Sequence, residues 1–189
     1  NTYTIGGTRY NGDAVPTITS GSAVTSSANA TTYTSFSSSN LALSNTNYTL
    51  VGATVSATID KANAYVIIGA NQTSTYGSTP TINYTFYNNG NGTSGAAITS
   101  PSGLAGTASI TNAPTSSSNA TTYALTYVSG LSSTNYTFNP ASSSVNFVVN
   151  PAILNLTISK TYNGDANFTN TNTYTIGGTR YNGDAVPTI

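Results

Sequence analysis

The residues able to do chemistry in this chain are few and scattered. Asp13, Asp60, Asp165 and Asp184 are its whole acidic complement, and Arg9, Lys61, Lys160 and Arg180 its whole basic one. Paired acids would point to general acid–base work, and an acidic loop to calcium, which wants several carboxylate or carbonyl oxygens. No loop offers two Asp close together: Asp13, Asp165 and Asp184 each follow Gly in an Asn-Gly-Asp turn and Asp60 stands alone. The role expected of all four is turn formation or capping. His, Cys, Met, Trp and Glu are absent, which removes zinc and haem ligation, thiol nucleophiles and an imidazole base. With no set that supplies both nucleophile and base, the expectation is no catalytic residue, no cofactor and no metal site.

Four weaker signals have plainer readings beside them. Lys61 and Lys160 could form isopeptide links to Asn, but that reaction needs a buried acid, usually Glu, to move protons; Lys160 is expected to be a solvated charge at a strand end. Asn-x-Thr triplets at Asn29, Asn47, Asn71, Asn83, Asn91, Asn119, Asn135, Asn155 and Asn167 would mark glycan acceptors in a secreted eukaryotic protein, yet so Asn- and Thr-rich a chain produces many by composition. Thr-x-Thr triplets such as Thr2-Tyr3-Thr4 suggest an ice-binding ladder, for which a short, many-fold coil would be needed. Tyr residues beside Asn and Asp could stack on sugars. Tyr33 with Tyr123, and Tyr48 with Tyr136, instead hold matching places between threonines, the pattern of an inward face.

The elements that carry these residues follow from repetition. Asn1–Ile18, NTYTIGGTRYNGDAVPTI, recurs letter for letter as Asn172–Ile189, 171 positions on, so the chain reads as a window from a tandem array. A diverged period lies inside it. Asn29-Ala30-Thr31-Thr32-Tyr33 returns 90 positions on at Asn119, and Thr46-Asn47-Tyr48-Thr49 returns 88 positions on at Thr134. Two related modules therefore alternate. One spans residues 63–152; the other opens at 153–171 and continues in 1–62. Periods this long suit beads rather than solenoid coils.

Strands are expected throughout. Alternation is clear at Leu154, Leu156 and Ile158, at Ile82, Tyr84 and Phe86, at Tyr123, Leu125 and Tyr127, and at Val55, Ala57 and Ile59, each apolar set facing a core. Asn11-Gly12, Asn89-Gly90, Asn91-Gly92, Asn163-Gly164 and Gly6-Gly7 supply turn residues. The fold class is all-β, mainly antiparallel, with at most a short helical turn near Asn11–Val15 or Thr93–Ile98. Modules meet across Asp60-Lys61-Ala62 and Asn150-Pro151-Ala152, links short enough to leave little slack, the second stiffened by Pro151. Strands of ordinary length would make each bead roughly 30 to 45 Å long.

Composition narrows the partners. Only 4% of residues are charged and the formal net charge is zero, so no basic footprint for nucleic acid exists. With 14 Tyr and 5 Phe the chain is not disorder-like. No apolar run approaches the ~20 residues of a membrane span.

The Tyr76-Gly77 turn after the first strand, the Ser133-Thr134-Asn135-Tyr136-Thr137-Phe138 segment and the close at Asn150-Pro151-Ala152 resemble the MBG domain of the YGX type found in giant bacterial adhesins. Leu154–Ile158, followed by Lys160-Thr161-Tyr162-Asn163-Gly164-Asp165 and, in the other copy, Ser44-Asn45-Thr46-Asn47-Tyr48-Thr49, resembles the YDG repeat of the same proteins, with Tyr-Asn-Gly where Tyr-Asp-Gly is usual. The resemblance implies Ig-like sandwich or β-grasp-like beads: residues 1–62 the later part of a YDG-like module, 63–152 a complete MBG-like module and 153–189 the opening of the next. It also implies an extracellular stalk at a cell surface or in a secreted fibre, with neighbouring repeats, copies of the chain or matrix and surface glycans as partners. Strand edges at both ends of the window are expected either to be completed by neighbouring chains or to be poorly ordered.

Overall fold

The computed structural model describes residues 3–37, 40–50 and 56–188. Val55, one of the positions in the alternating set at 55–59, lies outside them. The chain is all-β: among the described residues no α-helix occurs, and their one helical turn is the three-residue 3-10 segment Gly92–Ser94, which overlaps the start of the Thr93–Ile98 stretch. At Asn11–Val15 the expected helical turn is instead a tight two-residue turn. Asn11 and Gly12 have φ of 55° and 75°, and the Asp13 N–H donates to the Tyr10 carbonyl at 3.0 Å. Positive φ at both central residues is what a type I′ turn demands, and Asn-Gly meets it at least steric cost.

The chain divides into two compact units, residues 1–62 with 133–137 and residues 63–132 with 138–189. The first carries four short strands: β1 (Ile18–Ser20) pairs antiparallel with β3 (Ala42–Leu43), and β2 (Thr32–Tyr33) with β4 (Ala57–Thr58). The longer strands are β5 (Ala62–Ile68), β6 (Gln72–Thr75), β7 (Tyr84–Tyr87), β8 (Ala105–Thr111), β9 (Thr122–Ser132), β10 (Tyr136–Pro140), β11 (Val145–Asn150), β12 (Asn155–Ser159) and β13 (Thr173–Gly177), all in the second unit except Ala62 of β5 and Tyr136–Thr137 of β10, which fall in the first. They form a three-stranded sheet β10-β5-β7, a four-stranded sheet β6-β11-β9-β8 and a hairpin β12-β13. One pairing departs from the antiparallel rule, because β6 runs parallel to β11 with Thr75 opposite Asn150.

Alternation places the core. In β5, Ala64, Val66 and Ile68 are buried while their neighbours are not, and in β9 and β11 Leu125, Tyr127, Phe147 and Val149 do the same. Ile68 meets Leu125, Phe147 and Val149 in one cluster; Val66 meets Phe86 and Tyr127 in another. Side chains of the three- and four-stranded sheets thus share one interior. Every buried hydrophobic residue among those described lies in 64–149.

The alternating set at Leu154, Leu156 and Ile158 behaves differently from expectation. Leu156 is 56% exposed and Ile153 is 87% exposed. The period-two signal does form a strand, with Leu156 opposite Ile176 and Ile158 opposite Tyr174, but the sheet stops at two strands and no described layer covers the Leu156 face. Alternation reports pleating; burial needs a partner surface as well.

Replacing Phe147, which is fully buried, by Ala should lower stability by roughly 3–5 kcal/mol, whereas Leu156→Ala should stay within about 0.5 kcal/mol. Urea unfolding of the two variants measures the difference.

Candidate functional site

The most developed polar and aromatic arrangement lies where β6 ends. The Ser78 N–H donates to the Thr75 carbonyl at 2.9 Å around Tyr76 and Gly77, and Gly77 has φ of 86°. A positive φ at the third residue is the mark of a type II turn and selects Gly there. The turn is tied to the core strand β11, since the Tyr76 N–H donates to the Asn150 carbonyl at 2.8 Å. Asn150 is also the last residue of β11 and stands before Pro151, so the turn sits beside the link to β12.

On this turn rests a second one, from the far end of the chain. Asn182 and Gly183 have φ of 55° and 76°, and the Asp184 N–H donates to the Tyr181 carbonyl at 3.0 Å. A Cβ placed on Gly77 would stand 2.1 Å from Cγ of Tyr181 and 2.3 and 2.4 Å from its two Cδ atoms. The base of the Tyr181 ring therefore lies against the Gly77 Cα, in space that any side chain would fill. The Tyr76 ring meets Tyr181 edge-on, with centroids 6.1 Å apart at 90°, a favoured aromatic geometry. The Tyr76 hydroxyl donates to Asp184 Oδ2 at 2.8 Å, and the Asn182 side-chain amide donates to the Ser116 carbonyl at 3.3 Å. A cleft of about 310 Å³ remains beside these contacts, lined by Tyr76, Asn119, Leu154, Arg180, Tyr181 and Asp184 among others.

The other sequence-derived candidates do not converge there. Asp13 Oδ2 accepts the Tyr48 hydroxyl at 2.9 Å and the Asn45 amide at 3.3 Å, while Asp165 Oδ1 accepts the backbone N–H of Asn167 at 3.0 Å and its side-chain amide at 2.7 Å. These are turn and loop bonds made by a carboxylate. Lys160 is not the solvated charge expected of it. Its Nζ donates to the carbonyls of Asp165 and Asn167 and stands 5.2 Å from the centroid of the Phe168 ring, so the ammonium gathers the loop after β12 by its backbone oxygens. Lys61 Nζ donates to the Ser133 carbonyl at 2.7 Å. Among the described residues no group of three carboxylate, imidazole or thiol side chains gathers at one point, and no helix is long and apolar enough to cross a membrane.

Paired tyrosines keep matching bonds. The Tyr33 hydroxyl donates to the Asn29 carbonyl at 2.8 Å and the Tyr123 hydroxyl to the Asn119 carbonyl at 2.9 Å, each closing its own Asn-Ala-Thr-Thr-Tyr loop. Both rings are half-buried. The part of the site that sequence reasoning did not assign is the seat formed by Tyr76 and Gly77. Its signal was the Tyr-Gly pair at the end of a strand, which marks a turn without saying what rests on it. Comparison with protein-family models, with curated proteins and with solved structures gave no match.

Gly77→Ala should cost about 1–2 kcal/mol through backbone strain alone and in addition displace Tyr181. Hydrogen exchange should then show residues 173–184 losing protection while Val66, Leu125 and Phe147 keep theirs. Uniform loss across the chain would contradict a local seat.

Proposed function

We propose that this chain is a segment of a repetitive extracellular stalk, built from sandwich-like beads of the MBG and YDG kinds, and that its work is reach and mechanical continuity. The observation that carries the reading is the contact of Tyr181 with Gly77. Residues 63–152 form one module of the proposed array and residues 153–189 open the next; the link between them has no more than Pro151–Leu154 between β11 and β12. A short link limits swing, and a turn from the following module resting on the preceding one limits it further. The 171-residue recurrence would repeat that contact at each period. On this reading the protein performs no reaction, and its placement is a bacterial surface or secreted fibre.

A second reading has one observation of its own. The cleft beside Tyr181 brings an aromatic edge together with Arg180, Asp184 and Asn119, a combination that suits a saccharide, and repetition would convert weak sugar binding into avidity.

Proteins of one, two and three periods should give scattering profiles whose maximum dimension grows linearly with the number of periods. A dimension that rises only with the cube root of mass would remove the stalk reading. Saccharide binding by one period at micromolar affinity on a glycan array, lost in Arg180→Ala, would favour the second.

A further inference from the structure

Two related modules allow one junction to be compared with the other. Segment 133–137, which by sequence belongs to the module of residues 63–152, packs with the first unit. Asn135 holds it there with three hydrogen bonds. The Ala30 N–H donates to Asn135 Oδ1 at 2.8 Å, Asn135 Nδ2 donates to Asn29 Oδ1 at 3.2 Å, and the Ala62 N–H donates to the Asn135 carbonyl at 2.9 Å. Each of these partners has a counterpart 90 positions on: Asn29 and Ala30 correspond to Asn119 and Ala120, and Ala62 to Ala152. The structure brings the counterparts together again, all three lining the cleft beside Tyr181. Among the described residues, the Ala120 N–H, the Ala152 N–H and the Asn119 side-chain amide have no hydrogen-bond partner.

The counterpart of Asn135 itself is Asn47, 88 positions earlier, in Thr46-Asn47-Tyr48-Thr49 against Thr134-Asn135-Tyr136-Thr137. The same local turn presents both. The Asn135 N–H donates to Ser133 Oγ at 3.3 Å and the Asn47 N–H to Asn45 Oδ1 at 3.0 Å, each two residues back. Asn45 and Tyr48 are bonded through their side chains to Asp13, but Asn47 is exposed, and its side chain and carbonyl have no partner among the described residues.

We infer that Asn119, Ala120 and Ala152 are a docking site for the Asn45-Thr46-Asn47 loop of a second copy of this chain, with Asn47 seated as Asn135 is seated on Asn29, Ala30 and Ala62. The Ala120 N–H donates to Asn47 Oδ1, Asn47 Nδ2 to Asn119 Oδ1, and the Ala152 N–H to the Asn47 carbonyl. A fourth bond of the first junction does not carry over. Lys61 Nζ donates to the Ser133 carbonyl at 2.7 Å, whereas its counterpart Pro151 has no donor, so the second junction is the weaker. Because the loop is already turned, docking has few groups left to order. Loop and site are different surfaces, so the contact is heterologous and joins copies head to tail. In a tandem array the following period supplies the loop on a tether, at an effective concentration on the order of millimolar. The inference rests on the alternating modules of the stalk reading and adds what fills the cleft; it does not need the array to be extended, so the scattering measurement can fail while this contact stands.

Nuclear magnetic resonance on full-length chains tests it. Labelled chain carrying Asn47→Ala, which cannot offer the loop, is mixed with unlabelled wild-type chain up to about 1 mM, the concentration that a short flexible tether supplies. The amide protons of Ala120 and Ala152 should move progressively downfield, while those of Ala30 and Ala62, already bonded to Asn135, hold still. Unlabelled Asn47→Ala chain should move none of them. Labelled wild-type chain, diluted from the same concentration, should show the shifts reverse with no substitution anywhere. Stationary Ala120 and Ala152 signals, or equal movement with and without Asn47, would overturn the inference.

Discussion

The placement of residues 173–184 against the core strands depends on a single close approach, that of the Tyr181 ring to the Cα of Gly77. The approach is possible because a type II turn demands a residue of positive φ and Gly is the residue that also leaves room above it. Because the Tyr76 N–H is bonded to Asn150 at the end of β11, whatever rests on this turn is referred to a strand whose Phe147 and Val149 lie in the core. The same β11 then leads through Pro151 into β12, whose hairpin partner β13 returns the chain toward Tyr181. Covalent link and non-covalent seat thus converge on one end of one strand. A hinge at Pro151 would have to break the seat before it could swing.

How much of this was legible in the sequence depends on the range of the interaction responsible. Asn-Gly turns were legible because their cause is local: identical φ values at Asn11 and Asn182 show the dipeptide folding the same way in two surroundings. Alternation was legible in β7 and β9, where the opposite sheet exists to bury it. It misled at Leu156, which pleats correctly yet faces no covering layer. Tyr3–Gly6 and Tyr174–Gly177 make the point most sharply, since the same letters are strand in one copy and not in the other, according to whether the partner strand is at hand. The parallel pairing of β6 with β11 and the seat at Gly77 were not legible, because both join residues about 75 or more positions apart through backbone geometry that no side-chain pattern reports. Lys160 was misjudged for a related reason: its partners are backbone carbonyls, invisible in a residue string.

Scarcity of charge shapes the remaining chemistry. With 4% charged residues, polar satisfaction falls to Asn, Ser, Thr and Tyr, and three of the four carboxylates are engaged as acceptors in turns or loops or at the seat. Ring contacts and short hydrogen bonds in which one partner is neutral, such as that of the Tyr76 hydroxyl to Asp184, are far less screened by salt than pairs of separated exposed charges, so the seat should change little between salt water and dilute buffer. The same scarcity leaves strand edges without the charged residues that commonly discourage pairing with other chains.

The account is tested most directly by backbone 15N relaxation across residues 145–184 of the intact chain. Order parameters for 173–184 near 0.85, equal to those of β11, are what a seated turn requires. Values below about 0.6 in that segment, with β11 rigid, would mean that Tyr181 does not rest on Gly77 and that the β12-β13 hairpin is held by the Pro151 link alone.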